Sequence, residues 1–276
     1  MKKLQINIVT LNNLEYLKNA IKSIKTKYEY ELLIIDQESN DGTIDWLKEN
    51  NIRYHRFEPR VCLSKAWNFG FINALKNKDI EYIFFPNNDV IFHSSTIDNL
   101  VFAYEELNRI YNNKYVMVTG SNIAPEMDLT TFNLCKVLGD FEFDKKEITN
   151  WREQGPDFSC PLISIHTLQQ VGFFDENFIP AYYEDNDYHL RIVKLNKIAK
   201  RISYAPYYHF GSMTIKSNPY LGINSSKTER VFIEKWGHIP ALCMDGLGYQ
   251  KPYNDDKYNI TDWKNIPNEY KKIWHN

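Results

Sequence analysis

Two short stretches of the chain carry side chains able to do chemistry. The first is Pro86-Asn87-Asn88-Asp89. A run fit for a buried strand, Tyr82 to Phe85, stops at the proline, and two carboxamides and a carboxylate follow at once. Strand ends on the carboxyl edge of an α/β sheet are where such folds bind ligands. A carboxylate there, with oxygen-bearing neighbours, suits a hard divalent cation that itself holds phosphate. The plainer reading is a capped turn with its amides in water. The second stretch is Tyr183-Glu184-Asp185-Asn186-Asp187, with Arg191 four residues on. On a helix Glu184, Asp187 and Arg191 share one side, and Asp187 and Arg191 are spaced to pair. Carboxylates in a first turn are favoured by the helix dipole, which is a structural reason for them. One held facing a cleft can also take a proton from an incoming hydroxyl. His209 lies between aromatic residues and becomes a candidate ligand only if the fold brings it to Asp89.

Periodicity supplies the elements that must position these groups. Ile6 to Thr10 suit a strand, after which Leu14, Leu17, Ile21 and Ile24 recur at helical spacing. Glu31 to Asp36 form a second strand ending in a carboxylate, Ser39 to Thr43 are turn chemistry, and a short helix with Ile44 and Leu47 follows. Arg53 to Phe57 read as a third strand. Ser64 is expected to cap a helix with Trp67, Phe71 and Ala74, and Ser94 or Ser95 one with Ile97, Leu100, Val101, Tyr104 and Leu107. Strands alternating with helices predict an α/β fold whose central sheet is mostly parallel and covered on both faces. Beyond Tyr115 the rhythm changes. Strands are expected at Val116 to Thr119, Ile163 to His166 and Arg201 to Ala205, a short helix from Thr167, and a helix over Tyr182 to Asn196. Residues 120–160 read as irregular, and 216–276 show no clear period.

The totals narrow the function. With 33 Lys and Arg against 35 Asp and Glu there is no global basic field, so general nucleic-acid binding is not expected. The 4 cysteines are far apart, none at metal-ligand spacing, and read as the reduced thiols of a cytoplasmic protein. The N-terminal residues lack the apolar core of a signal peptide, and no window approaches the roughly 20 apolar residues of a membrane span. The expectation is a soluble protein, at most peripheral to a membrane. Its 19 tyrosines, 16 phenylalanines and 6 tryptophans fit either sugar-stacking platforms or an aromatic core.

The order of segments resembles the inverting nucleotide-sugar glycosyltransferases of family 2, which have the GT-A fold. Val9-Thr10-Leu11-Asn12 looks like the family's first strand and loop. Ile34-Ile35-Asp36-Gln37-Glu38-Ser39-Asn40-Asp41-Gly42-Thr43 resembles its Val-Val-Asp-x-Gly-Ser-x-Asp-Gly-Thr. Leu63 to Gly70 resembles a donor-side helix, and Asn87-Asn88-Asp89 stands where the metal-binding Asp-x-Asp belongs. Gly172-Phe173-Phe174-Asp175-Glu176, then Glu184-Asp185-Asn186-Asp187 with Arg191, resemble the acceptor-side signature. The likeness spans about residues 4–212.

That resemblance implies roles residue by residue. Val9, Thr10, Asn12, Asp36, Ser64, Asn68, Asn87 and Asn88 would line the donor site. Asp89 and His209 would hold Mn²⁺ or Mg²⁺ against the diphosphate. Asp185 would be the catalytic base, with Glu184 beside it and Tyr183, Asp187 and Arg191 supporting the acceptor side. Residues 1–115 would be the donor-binding half, 116–212 the acceptor-binding and catalytic half, and 213–276 an irregular extension. A UDP- or dTDP-sugar is the favoured donor and a saccharide or other hydroxyl the acceptor. The chain departs from the pattern at Leu11, Gln37-Glu38, Trp67 and Asn87, which leaves the nucleotide open. Other classes stay in play: a nucleotide-sugar-binding module without turnover, a metal-dependent phosphohydrolase, and a retaining transferase.

Overall fold

The computed structural model describes residues 3–122, 156–218 and 225–237. In the first part strand and helix alternate: β1 (Lys3–Thr10), α1 (Leu14–Ser23), β2 (Glu29–Asp36), α2 (Thr43–Glu49), β3 (Tyr54–Arg56), α3 (Leu63–Leu75), β4 (Ile80–Phe84), β5 (Val90–Phe92) and α4 (Thr96–Ile110). The second part adds β6 (Tyr115–Asn122), β7 (Pro161–Ser164), α5 (Ile165–Val171), α6 (Glu184–Lys194), β8 (Ile198–His209), α7 (Met213–Ser217) and α8 (Ser225–Trp236).

The strands form one sheet in the order β3-β2-β1-β4-β7-β6-β8-β5. Its first half is parallel, with β2 to β3, β1 to β2 and β1 to β4 all in register the same way. The second half is mixed: β7 runs antiparallel to both β4 and β6, β6 and β8 are parallel, and β5 is antiparallel to β8. The parallel rule therefore holds for the part built of strand-helix-strand units, where a helix must carry the chain back across the sheet.

Side chains alternate across each strand, so one sheet supports two cores. Leu4, Ile6 and Ile8 face α1 and α4, together with Tyr82 and Phe84. Leu33, Ile35, Ile83 and Phe85 face α3, α5 and α6. A third, smaller cluster joins Phe178 and Leu190 to Phe232 and Trp236 of α8. On the second face α3 lies close against β1 at Gly70, where a Cβ would come within 2.7 Å of Asn7 Nδ2.

Several boundaries differ from the sequence expectation. Ser64 is not the cap of α3; Cys62 occupies that position in extended conformation, φ −67° and ψ 157°. Ser164 caps α5, its hydroxyl accepting from Thr167 N–H. Strand β8 is much longer than Arg201 to Ala205, because it pairs with β6 along its length and then with β5. The irregular reading of residues 120–160 falls largely outside the described residues. Helix α8 was not expected at all. No helix among the described residues is long and apolar enough to cross a membrane.

Candidate active site

The carboxyl ends of β1, β2 and β4 open onto one cavity of about 300 Å³, a volume at the small end for ligand sites. Val9, Thr10, Asn87, Asn88 and Asp89 line one side. Glu184, Tyr182 and Pro180 line another, and His209, Thr214 and Ile215 close over it. The two acidic stretches of the sequence, nearly a hundred positions apart, thus meet at one space.

Asp89 and His209 meet because Val90 pairs with His209 across β5 and β8. His209 Nε2 lies 3.1 Å from Asp89 Oδ1 and 3.4 Å from Asn87 Nδ2, while Nδ1 lies 3.1 Å from Ser159 Oγ. Met213 N–H donates to Asp89 Oδ2 at 3.1 Å. Burial pushes the Asp89 carboxyl upward, but the hydrogen bond from His209, its charge and the Met213 N–H outweigh this and hold it below the ordinary range. Asp89 is therefore an anion ready to meet a cation. Among the described residues no cluster of three His, Cys, Asp or Glu could enclose a metal ion. The Asp89 carboxylate fits a hard ion that takes its remaining ligands from phosphate and water, and the imidazole of His209 is a poorer match for Mg²⁺ than for a softer divalent ion.

The amide-rich loops around the cavity are tied together. Asn88 Nδ2 donates to Thr10 Oγ1 at 2.9 Å. Asn12, at a positive φ of 56°, accepts from Asn40 N–H at 2.8 Å and donates its own N–H to Ser39 Oγ at 2.7 Å. Its carboxamide also reaches Asn218 beyond α7. Asp36 lies beneath the floor, fully buried, with Oδ2 accepting from Ser39 N–H and Arg56 Nη1. Burial prevails over those bonds and raises its pKa. The residue that reaches the cavity from this strand end is Gln37. Gln37 Oε1 accepts from Val61 N–H at 2.9 Å, and its Nε2 has no hydrogen-bond partner among the described residues.

Ser64 and Asn68 are not on the cavity wall; from the same helix Leu63 and Trp67 are. Asn68 closes both ways on Phe174, its Nδ2 donating to Phe174 O at 2.9 Å and its Oδ1 accepting from Phe174 N–H at 2.8 Å. Its Nδ2 donates as well to Glu176 Oε1 at 2.8 Å, so the amide links α3 to the loop at 172–178 through three bonds.

Helix α6 begins after two consecutive tyrosines at positive φ, Tyr182 at 81° and Tyr183 at 70°. Glu184 is buried on the cavity wall and its Oε2 has no partner among the described residues. Burial first, then the charges of Asp185 and Asp187, push its carboxyl well above the usual range. Asp185 is half-buried beside it and does not line the cavity. Its pKa is also raised, by burial and by Asp157, against the Asn186 N–H that it accepts. Asp187 and Arg191 pair as spaced, Nε to Oδ2 at 3.0 Å. The Arg191 Nη1 donates to the carbonyls of Val171 and Phe173, so the guanidinium is a buried strut.

The central sheet, flanked by helices and carrying its cavity at the strand ends, defines a GT-A type of architecture. The family model for glycosyl transferase family 2 matches residues 6–165. Among solved structures, the mannosyltransferase PcManGT of Pyrobaculum calidifontis, in complex with GDP-Man and Mn²⁺, is similar with a TM-score of 0.56 at 12% identity, covering 90% of this chain and 68% of that one. Residues 1–349 of TarS from S. aureus are similar with a TM-score of 0.52 at 12% identity, covering 85% and 70%. No curated protein matches the sequence. The chain belongs to glycosyltransferase family 2 and is a glycosyltransferase.

Proposed function

We propose that this enzyme moves a sugar from a nucleoside diphosphate to a hydroxyl acceptor in one in-line displacement that inverts the anomeric carbon. The observation that carries the reading is the single cavity holding Asp89 and His209 on one side and Glu184 on the other. Residues 1–115 contribute the donor side, 116–212 the acceptor side and catalytic pair, and 213–276 the extension.

Asp89 and His209 would hold Mn²⁺ or Mg²⁺ with the donor diphosphate. With an ion held there, charge gathering on the leaving group would be neutralised. Asp185 stands off the cavity wall, so the acceptor must bind against the first turn of α6 for Asp185 to accept its hydroxyl proton as that oxygen attacks and the nucleoside diphosphate departs. Burial pushes the Glu184 carboxyl up further than that of Asp185, so of the pair Asp185 gives up its proton first. Tyr182, 40% exposed at the mouth, offers a ring face that supports a saccharide acceptor. The donor in this reading is a UDP- or dTDP-sugar. The Mn²⁺ and nucleotide sugar bound by the mannosyltransferase neighbour support the same class of donor site.

The test is to incubate the enzyme with Mn²⁺ and UDP-, dTDP- or GDP-sugars and analyse what is released. Nucleoside diphosphate with an inverted sugar is the expected product. Inorganic phosphate would mark a phosphohydrolase, and retained configuration would refute the single displacement. A donor that binds but is never consumed would mark a binding module.

A further inference from the structure

Behind the acidic turn lies a set of buried charges that the reaction does not consume. Lys235 of α8 has its ammonium fully enclosed, 2.6 Å from Asp175 Oδ2 and 2.6 Å from Asp187 Oδ1. Trp236 donates its indole N–H to Asp187 Oδ1 at 2.9 Å. Arg191 completes the group from the other side of Asp187. Two carboxylates are thus matched by two cations where water does not reach.

We propose that Lys235 and Trp236 are positioning residues for sugar transfer: they fix the first turn of α6, which carries Glu184 and Asp185, against the loop at 172–178. The proposal rests on the reading of α6 as the helix that supplies the base. Three observations support it. Tyr183, at the cap position of α6, gives that helix no side-chain cap, so the turn lacks the usual local anchor. Asp187 supplies one instead, its N–H closing on Tyr183 O at 2.9 Å while its carboxylate is held by Lys235, Trp236 and Arg191. Asp175 in turn fixes the neighbouring loop, accepting from Asn177 N–H at 3.0 Å and from Lys235. The same loop is bonded through Asn68 to α3, whose Leu63 and Trp67 line the cavity.

Stability alone does not account for this choice of residues. Buried ion pairs can often be replaced by apolar side chains without loss, so their use points to geometry. Geometry matters here because a displacement of about 1 Å at a reacting group can cost on the order of 10²-fold in rate.

The experiment compares the wild-type chain with Lys235→Met, Lys235→Arg and Trp236→Phe. Three readouts are taken: UDP affinity in Mn²⁺, turnover of the donor sugar, and hydrogen–deuterium exchange of the peptide over residues 182–190. Lys235→Met is expected to lose on the order of 10²-fold in kcat, with UDP affinity within about twofold of wild type, and Lys235→Arg to recover part of the loss. Exchange in the first turn of α6 should quicken about tenfold in both Lys235→Met and Trp236→Phe, while that of β1 stays unchanged. Unaltered exchange and unaltered kcat in folded Lys235→Met overturn the proposal, as does a donor affinity that falls in step with kcat. Should Lys235→Met fail to fold, Trp236→Phe decides by the same criteria. Wild-type protein that turns over no donor would sink the transfer reading, while the exchange result would still decide whether the clamp exists.

Discussion

Adjacent carboxyls in unequal surroundings divide the roles of acid and base between them. Glu184 is buried with one oxygen unpartnered, and Asp185 is half-buried and accepts a backbone N–H. The first holds a proton longer, and the second is ionised sooner. Asp185→Asn is therefore expected to lower kcat on the order of 10² to 10⁴-fold with donor affinity nearly unchanged. Equal loss in both would remove Asp185 from the proton transfer. Glu184→Gln mimics the protonated acid and should cost kcat much less, so a loss as large as that of Asp185→Asn would reverse the assignment. The same variant makes a prediction about stability. A carboxyl whose folded pKa is raised binds more protons folded than unfolded, so its contribution declines as pH rises from the ordinary glutamate value of 4.5 toward the raised one. Glu184→Gln should thus gain stability over wild type as pH increases through that window, and urea midpoints measured across it would check the sign. The motif residues around these two were legible in the sequence because type and spacing carry the signal. Gln37 was not. Its reach into the cavity depends on Val61 holding its carbonyl oxygen, a contact between loops that no local pattern encodes.

At the scale of elements, legibility followed the source of the stabilising contact. Helices α1, α3 and α4 and strands β1, β2 and β4 bury apolar faces against one sheet, and their periods of 3.6 and 2 are written in Leu, Ile, Val and Phe. Helix α8 has a buried face of Thr228, Phe232, Lys235 and Trp236. Half of that stripe is polar by type, and the lysine is apolar to its surroundings only because Asp175 and Asp187 neutralise it. A reading of hydrophobic period has no means of seeing such a helix. Packing between elements gives a separate prediction at Gly70, where α3 crosses β1. A Cβ there meets Asn7 Nδ2 at 2.7 Å, Asn7 Cγ at 2.8 Å and Ile35 Cδ1 at 3.0 Å. Asn7 is buried within the sheet and has little room to withdraw. Gly70→Ala should destabilise by about 1 to 3 kcal/mol, the usual cost of overpacking. Adding Asn7→Ala should recover part of that loss, since neighbours in contact are not additive. Chemical denaturation of the two single variants and the double one would measure the coupling, and strict additivity would mean that the crossing is looser than the distances imply.

Over the whole molecule, Asp89 is where the two halves of the sheet and the segment after it are joined. Its carboxylate receives His209 from β8 and the N–H of Met213 from α7, while Asn88 beside it is bonded to the end of β1. A cation arriving with a nucleoside diphosphate would bind these elements in the folded state only, and binding of that kind raises stability by mass action, about 2.7 kcal/mol at a hundredfold excess over Kd. Mn²⁺ and UDP together should therefore raise the melting temperature by more than the sum of their separate effects, because each completes the site for the other. Asp89→Ala should melt lower than wild type before any ligand is added, since it strips a buried carboxylate from two donors, a loss of about 1 to 3 kcal/mol. It should also lose the Mn²⁺-dependent increment while keeping whatever UDP contributes alone through the floor formed by Val9, Thr10 and Gln37. His209→Ala should keep part of the increment, because the carboxylate and phosphates still offer charge to the ion. If Mn²⁺ stabilised Asp89→Ala as much as the wild type in the presence of UDP, the cation would have to be held elsewhere, and the division of the cavity into a metal side and a base side would fall with it.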